Sequence, residues 1–317
     1  MTKATDSSDA NFIKHSGFNL LRNGSTPEYI DAMFEEEIRD SDVLQVTYPK
    51  SGTVWMNQIL CLIYNSNHRN GSENIPTLDQ IPSIEYNFKH VDLKTRPSPR
   101  LMCTHLPYNL VPNGFRQKKG KVIYVYRNPK DALTSLYHFS KAFVPLKEFQ
   151  NFEEAMDHFL SGNVGANSWF DHVKGYHEHR DEFNILFLVY EEMVKDLKSN
   201  VLRLCEFLGK PLEDAEVNMV VERATFKNMI SDPMANCDSL PSDILQQDRV
   251  CFLRKGKIGD WKNIMTVAQN ERFDRVFQER MKDLKHLAIR LIWDDEDEGE
   301  LSPKDVQHEQ HKEDATK

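Results

Sequence analysis

The stretch Thr47-Tyr48-Pro49-Lys50-Ser51-Gly52-Thr53-Val54-Trp55 decides how the chain is read. It begins at the end of an apolar run, Val43–Tyr48, and leads into an apolar helical pattern, Thr53–Tyr64. The first amides of a helix point outward without partners and carry partial positive charge, so an anion binds there readily. Lys50 adds a full charge, Ser51 and Thr53 add hydroxyl donors, and Gly52 allows close approach of the backbone. A strand, a short loop and a helix in this order predict a P-loop-like phosphate site in an α/β protein. By itself, Lys-Ser-Gly-Thr also suits a helix that simply starts after a turn.

This loop does not follow the ATPase order G-x-x-x-x-G-K-[ST]. With the motif's lysine placed on Lys50, its glycines fall on Leu44 and Pro49. A P-loop NTPase also needs a magnesium-binding Asp at a neighbouring strand end. The run Val122–Tyr126 ends instead in Arg127. The expectation is a phosphate binder that works without Mg²⁺, with no metal among its ligands.

Three further runs, Leu101–Thr104, Val122–Tyr126 and Ile185–Tyr190, read as buried strands, and continuous apolar strands suit a parallel sheet covered on both faces. Helical patterns fall between and after them. Asn128-Pro129 is a cap followed by Pro at the first turn, Phe152–Leu160 and Ser168–His179 follow, and Glu192–Leu208 stops at Gly209. Val267–Asp283 opens with the capping-box pair Thr266 and Gln269. Strands alternating with helices predict an α/β single domain with a central parallel sheet flanked by helices. Residues 65–84 and 227–252 read as long loops of the kind that cover active sites.

The 317 residues carry 40 Lys+Arg against 49 Asp+Glu, a formal charge of −9. Residues 294–317 alone hold ten acids and three bases, so the body is nearly neutral. An acidic balance argues against a general nucleic-acid partner but not against one local cationic pocket. The basic stretch Arg116–Lys121 reads as a solvated loop before a strand. The polar N-terminus carries no signal-like apolar segment and no run approaches a membrane span. The five cysteines are scattered without metal-like spacing. These features predict a cytoplasmic protein with no membrane partner. The expected organisation is an N-terminal segment 1–41, a body 42–293 and an acidic tail 294–317 that is disordered from about 295.

TYPKSGTVW, with YRNPKDALTSLYHF (126–139) and FLRKGKIGDWK (252–262), resembles the cytosolic sulfotransferases. These enzymes move a sulfuryl group from 3′-phosphoadenosine 5′-phosphosulfate (PAPS) to a small acceptor. NHRNGSENI, WFDHVKGYHEHR and FNILFLVYEEM are most similar to the amine sulfotransferase subfamily. The resemblance runs from about Asp42 to Trp293 and implies roles residue by residue. Lys50, Ser51, Gly52, Thr53, Val54 and Trp55 would cradle the 5′ side of PAPS, with Trp55 stacked on adenine. Arg127, Ser135, Arg254, Lys255 and Gly256 would receive the 3′-phosphate, and Phe252 and Leu253 would belong to the same cofactor site. Tyr190, Thr225, Phe226 and Met229 would add nucleotide contacts. Arg127 and Ser135 also fit locally, at a strand's C-terminal end and in the helix after it. The lesser, competing reading of Arg127 is a structural salt bridge; without the resemblance, Arg254-Lys255 reads first as an exposed basic loop.

The same resemblance makes His105, in THLPYNLVP, the general base and Lys50 the cation on the transferring group, in an in-line displacement at sulfur. Histidine suits proton transfer near neutral pH; alone, a His at a strand end reads as structural. Tyr86 and Phe139 match acceptor-gate positions, though each aromatic could equally belong to the core. Ser83 stands where some relatives have Phe, and Glu85 carries no weight as an amine partner. Cys103 replaces a lysine common two residues before the histidine, and Ala224 replaces a common Thr. Lys262, Thr266, Val267 and Glu271 match a short homodimerisation motif. The acceptor stays open among amines, phenols and steroids. The rival readings are a catalytically silent module for adenosine phosphates, a small-molecule kinase and a membrane-anchored Golgi-type sulfotransferase.

Overall fold

Alternation along the strands builds two cores on one sheet. In the computed structural model, which describes residues 12–22, 24–65, 74–86, 92–246 and 248–284, four parallel strands lie in the order β4-β3-β5-β6. They are β3 (Val43–Thr47), β4 (Leu101–Thr104), β5 (Lys121–Tyr126) and β6 (Ile185–Val189), preceded in the chain by the hairpin β1 (Phe12–His15) and β2 (Phe18–Leu21). Successive side chains of a strand point to opposite faces. Leu44, Val46, Met102, Val122, Tyr124 and Tyr126 therefore enter one core, and Val43, Cys103, Ile123 and Val125 enter the other.

The helices are α1 (Pro27–Phe34), α2 (Thr53–Tyr64), α3 (Thr77–Gln80), α4 (Asn113–Arg116), α5 (Pro129–Phe139) and α6 (Phe152–Ser161), then α7 (Trp169–Glu178), α8 (Tyr190–Lys195), α9 (Leu197–Leu208), α10 (Asp214–Arg223), α11 (Phe226–Ser231) and α12 (Val267–Arg280). Residues of α6, α7 and α12 pack into the first core. Residues of α2, α9 and α10 pack into the second. The expected parallel sheet flanked by helices is the one observed.

The predicted caps hold. Asn128 accepts from the Lys130 amide, with Pro129 in the first turn. Thr266 and Gln269 form both halves of a capping box. Gly209 ends α9 at φ +66°, a left-handed position that suits glycine.

Several boundaries differ. Glu192–Leu208 is two helices, because Asp196 leaves the helix at φ −143° and caps α9 by accepting from Ser199 N. A short Asp side chain offers the backbone this alternative to helix continuation. Tyr190 opens α8 and is not the last residue of β6. The loops predicted at 65–84 and 227–252 contain α3 and most of α11. α12 stops at Arg280, and a single 3₁₀ turn, Lys282–Leu284, follows it.

The stretch before Asp42, for which the sequence reading names no elements, forms a hairpin and helix α1. Its hairpin turns at Ser16-Gly17, both at positive φ (+49° and +80°), the geometry whose twist matches paired strands. Phe18, Leu20, Ile30 and Ile38 join the first core. The acidic tail 294–317 lies outside the described residues.

Candidate active site

The four parallel strands end on one edge, and the chain order reverses between β3 and β5. Ligands of open α/β sheets bind at such a switch point, beyond the strands' C-terminal ends. The loop with Lys50 follows β3, His105 follows β4, Arg127 follows β5 and Tyr190 follows β6. One edge thus collects predicted residues from four separate parts of the sequence.

The phosphate loop has the backbone its role requires. Lys50 lies at φ +68° and Gly52 at +106°. A Cβ on Gly52 would meet the Tyr190 ring at 2.9 Å, so glycine here serves both conformation and approach. The Ser51 hydroxyl is buried and has no hydrogen-bond partner. The Lys50 ammonium sits 3.7 Å over the Phe139 ring and 4.5 Å from that of Phe252. Burial lowers its pKa to about 7; proximity to Cys237 works the other way, and Arg127 and Arg254 lower it further. Lys50 thus sits between a predicted gate residue and a predicted nucleotide residue.

Arg127 is fixed while part of it stays unspent. Its Nη1 donates to Lys50 O and its Nη2 to Lys257 O, each at 3.1 Å. Its guanidinium lies 4.3 Å from the Tyr190 ring centre. Its Nε is buried without a partner. An unmade hydrogen bond on a buried charged group costs more than an ordinary one, and an anionic ligand would relieve that cost. The chemistry of this donor set, an orphaned Ser51 hydroxyl, an orphaned Arg127 N–H and a lysine in the loop, fits a phosphate group.

The remaining predicted nucleotide residues converge. Val54, Trp55, Met229, Phe252 and Leu253 pack into one small apolar cluster. The Trp55 indole N–H donates to Ala224 O at 2.7 Å, and its ring meets Tyr190 edge-on at 5.2 Å. Ala224 thus holds Trp55 through its carbonyl, which any residue supplies. Thr225 caps α11. Phe226 covers Gly256, where a Cβ would lie 2.3 Å from the ring. Ser135 is half-buried in α5.

The acids around these cations were missed from sequence. Arg254 and Lys255 both pair with Asp260, at 2.6 and 2.5 Å. Burial opposes the Asp260 charge, but hydrogen bonds from Lys255, Asn263 and Arg254 outweigh it and hold the carboxyl well below its usual range. Asp131 of α5 accepts from Gly259 N at 2.7 Å and Trp261 N at 3.0 Å, which ties the basic loop to the helix behind Arg127. Acids interleaved with a basic run, as in RKGKIGD, are the available signal.

His105 is held on three sides. Its Nδ1 lies 2.7 Å from Thr47 O and 3.2 Å from Thr47 Oγ1. A carbonyl only accepts, so Nδ1 carries the proton of the neutral ring and Nε2 is left as the base. Its amide donates to Glu85 Oε1 at 2.6 Å, and the Thr104 hydroxyl donates to Glu85 Oε2 at 2.7 Å. Glu85 is fully buried and occupied by these bonds, which explains an acid that the sequence left without a role. Tyr86 stands beside the site, its ring 6.2 Å from that of His105. The Ser83 hydroxyl accepts from Tyr86 N at 3.2 Å.

Cys103 is buried beneath this edge, its thiol pushed up to about 12 by burial and by Glu85, against a hydrogen bond from Asn57. It is an inert filler and brings no charge to the site. On α12 and the turn before it, Lys262, Thr266, Val267 and Glu271 are all exposed, Val267 to 76%.

Comparison with known proteins agrees with this fold. The sulfotransferase domain model matches residues 40–285. An amine sulfotransferase of Oryctolagus cuniculus is 48% identical over 296 residues, covering 93% of this chain and 97% of the relative. Human sulfotransferase 2A1 is 42% identical over 247 residues, covering 78% and 86%. Mouse sulfotransferase SULT7A1, solved in complex with PAP, superposes with a TM-score of 0.72 at 30% identity, covering 87% of this chain and 96% of that one. A retinol dehydratase shares the fold at a TM-score of 0.73 and 23% identity, covering 84% and 88%.

Fold and site together define a nucleotide-dependent group-transfer enzyme. The chain belongs to the sulfotransferase family, enzymes that move a sulfuryl group from PAPS to an acceptor. Among the described residues no helix is long and apolar enough to cross a membrane.

Proposed function

We propose that this chain transfers the sulfuryl group of PAPS to a nitrogen or oxygen of a small apolar acceptor, with amines ahead of hydroxysteroids. The convergence of Lys50, Arg127, the cluster around Trp55 and a His105 ring held through Nδ1 on one sheet edge carries the reading. The 48% identity to an amine sulfotransferase favours the amine.

In this reading, bound PAPS supplies the sulfuryl group and a phosphate that leaves. His105 takes the acceptor's proton at Nε2 as the acceptor bonds to sulfur and the sulfur–oxygen bond to phosphate opens. The Lys50 ammonium, recharged by the phosphate, holds the charge that grows on the leaving oxygen, a kind of contribution worth roughly 3–4 kcal/mol. Ser51, Gly52 and Thr53 receive the 5′ side. Arg127, Ser135, Arg254, Lys255 and Gly256 receive the 3′-phosphate, with Asp260 giving up Arg254 and Lys255 to it. Tyr86 and Phe139 border the acceptor.

The catalytic body spans 42–293 with the N-terminal hairpin packed on it, and works in the cytoplasm. The exposed Lys262, Thr266, Val267 and Glu271 form a homodimer contact. Sizing coupled to light scattering at micromolar protein should give twice the monomer mass, and a monomer mass would end that part.

The desulfated nucleotide tests the site itself. At about 100 times its Kd it should add roughly 2.7 kcal/mol of stability, a rise of several degrees in Tm. No rise would remove the nucleotide site from the account.

A further inference from the structure

His172 is a buried histidine on α7, and the mechanism above gives it no role. Its ring lies behind the His105 peptide. Nε2 is 3.2 Å from His105 O, and Nδ1 is 2.8 Å from the Tyr124 hydroxyl of β5. The carbonyl can only accept, so Nε2 carries the proton and Nδ1 accepts from Tyr124. The histidine is 2% exposed. Burial, then the neighbouring His105, lower its pKa to about 3, against hydrogen bonds at the backbone of His105 and Leu106. A neutral imidazole is what both bonds require.

The same helix grips the next residue. Tyr176, one turn on from His172, donates its hydroxyl to Leu106 O at 2.9 Å. Residues four apart lie on one helix face, so α7 holds two successive carbonyls. Glu85 holds the His105 backbone on its other side, through the His105 N–H. The rings of Tyr48 and Tyr176 flank His172, with centroids 5.7 and 5.4 Å from its own.

We infer that His172 is a positioning residue for the sulfuryl transfer: supported by Tyr124, it fixes the His105 peptide so that Nδ1 stays on Thr47 O and Nε2 faces the acceptor. This rests on the reading of His105 as the base. A phenylalanine would fill the same space without either hydrogen bond. A glutamine can supply both, an amide N–H toward His105 O and an amide oxygen toward Tyr124. Misplacing a reacting group by about 1 Å costs on the order of 10²-fold in rate, which sets the upper end of the expected effect.

The test uses the full chain with PAPS and an accepted amine. His172→Phe should lower kcat by roughly 10- to 100-fold and leave both KM values and the Tm rise with desulfated nucleotide near wild type. His172→Gln should recover most of the loss. Unchanged kcat in the Phe variant overturns the inference, and so does a Gln variant as slow as the Phe variant, which would reduce His172 to packing. If His172→Phe does not fold, Tyr124→Phe with ¹⁵N spectra of His105 decides. Wild type should show the Nδ1–H tautomer, and loss of the Tyr124 hydroxyl should mix the tautomers and slow kcat. An unmixed tautomer with full kcat overturns the inference. His105→Ala separates the two claims. Retained turnover there removes the base, whereas lost turnover there with full turnover in His172→Phe removes only the positioning role.

Discussion

The nucleotide side and the His105 side of the site are finished to different degrees. Around His105 the polar groups that hold it are spent: Glu85 on Thr104 and the His105 amide, Thr47 on the imidazole, His172 between a carbonyl and a tyrosine. Around the phosphate loop, polar groups are left over. Ser51 Oγ and Arg127 Nε are buried without partners, and Lys50 sits among aromatic rings with its charge disfavoured. A side that must hold one geometry through the reaction is satisfied by the protein. A side that must bind an anion leaves its donors for the anion. The contrast predicts that substitutions on the two sides read out differently, in the free protein or only with ligand.

The largest expected effect is on turnover. His105→Ala should lose roughly 10²–10⁴-fold in kcat and keep the nucleotide-induced Tm rise. Full activity in that variant would empty the His105 side of its chemistry.

A second pair sets stability against affinity. Glu85→Ala strands the Thr104 hydroxyl and the His105 amide, at about 1–3 kcal/mol for each buried group. The free protein should therefore melt about 5–10 °C lower. Ser51→Ala removes a hydroxyl that bonds nothing in the free protein, so its Tm should stay put while nucleotide Kd rises about tenfold. Equal Tm losses in the two variants would erase the contrast.

Gly256→Ala probes the loop of Arg254 and Lys255. At φ +60° with Phe226 only 2.3 Å from the new methyl, strain of roughly 1–3 kcal/mol is expected. It should appear as a lower Tm and weaker nucleotide binding. A variant indistinguishable from wild type in both would show that the loop tolerates a side chain there.

The smallest effect is a proton. With its pKa lowered to about 7, Lys50 is mostly neutral at pH 8 in the free protein. An anion beside it favours the ammonium, so binding takes up a proton. Between the lowered value and the ordinary lysine range the unfolded chain holds more protons, so free-protein stability from this group rises with pH. Calorimetry at pH 8 in buffers of different ionisation enthalpy should show uptake approaching one proton, lost in Lys50→Met. A buffer-independent enthalpy would contradict it.

The fold was legible where local chemistry carried it. Apolar runs marked all four parallel strands, and Asn128, Gly209, Thr266 and Gln269 marked helix ends through bonds made within a few residues. The hairpin at Phe12–Leu21 escaped notice because its strands are four residues each and its turn is Ser-Gly, not Asn-Gly. The Glu192–Leu208 pattern hid a break because Asp196 also fits a helix surface.

In the site, the loop at Lys50 announced itself because anion binding is written into consecutive residues. Glu85, Asp131, His172 and Asp260 did not. Their partners lie 3 to 130 residues away, and only the sheet edge brings most of them together. Nothing in a lone His or Glu tells a positioning role from a filled core.

The central claim is tested most directly by transfer of label. The protein is incubated with radiolabelled PAPS and a panel of small amines, phenols and hydroxysteroids, and the products are separated. The account predicts label in at least one acceptor, amines ranking first by kcat/KM. Nucleotide binding with no label in any acceptor would contradict it and leave a silent adenosine-phosphate module.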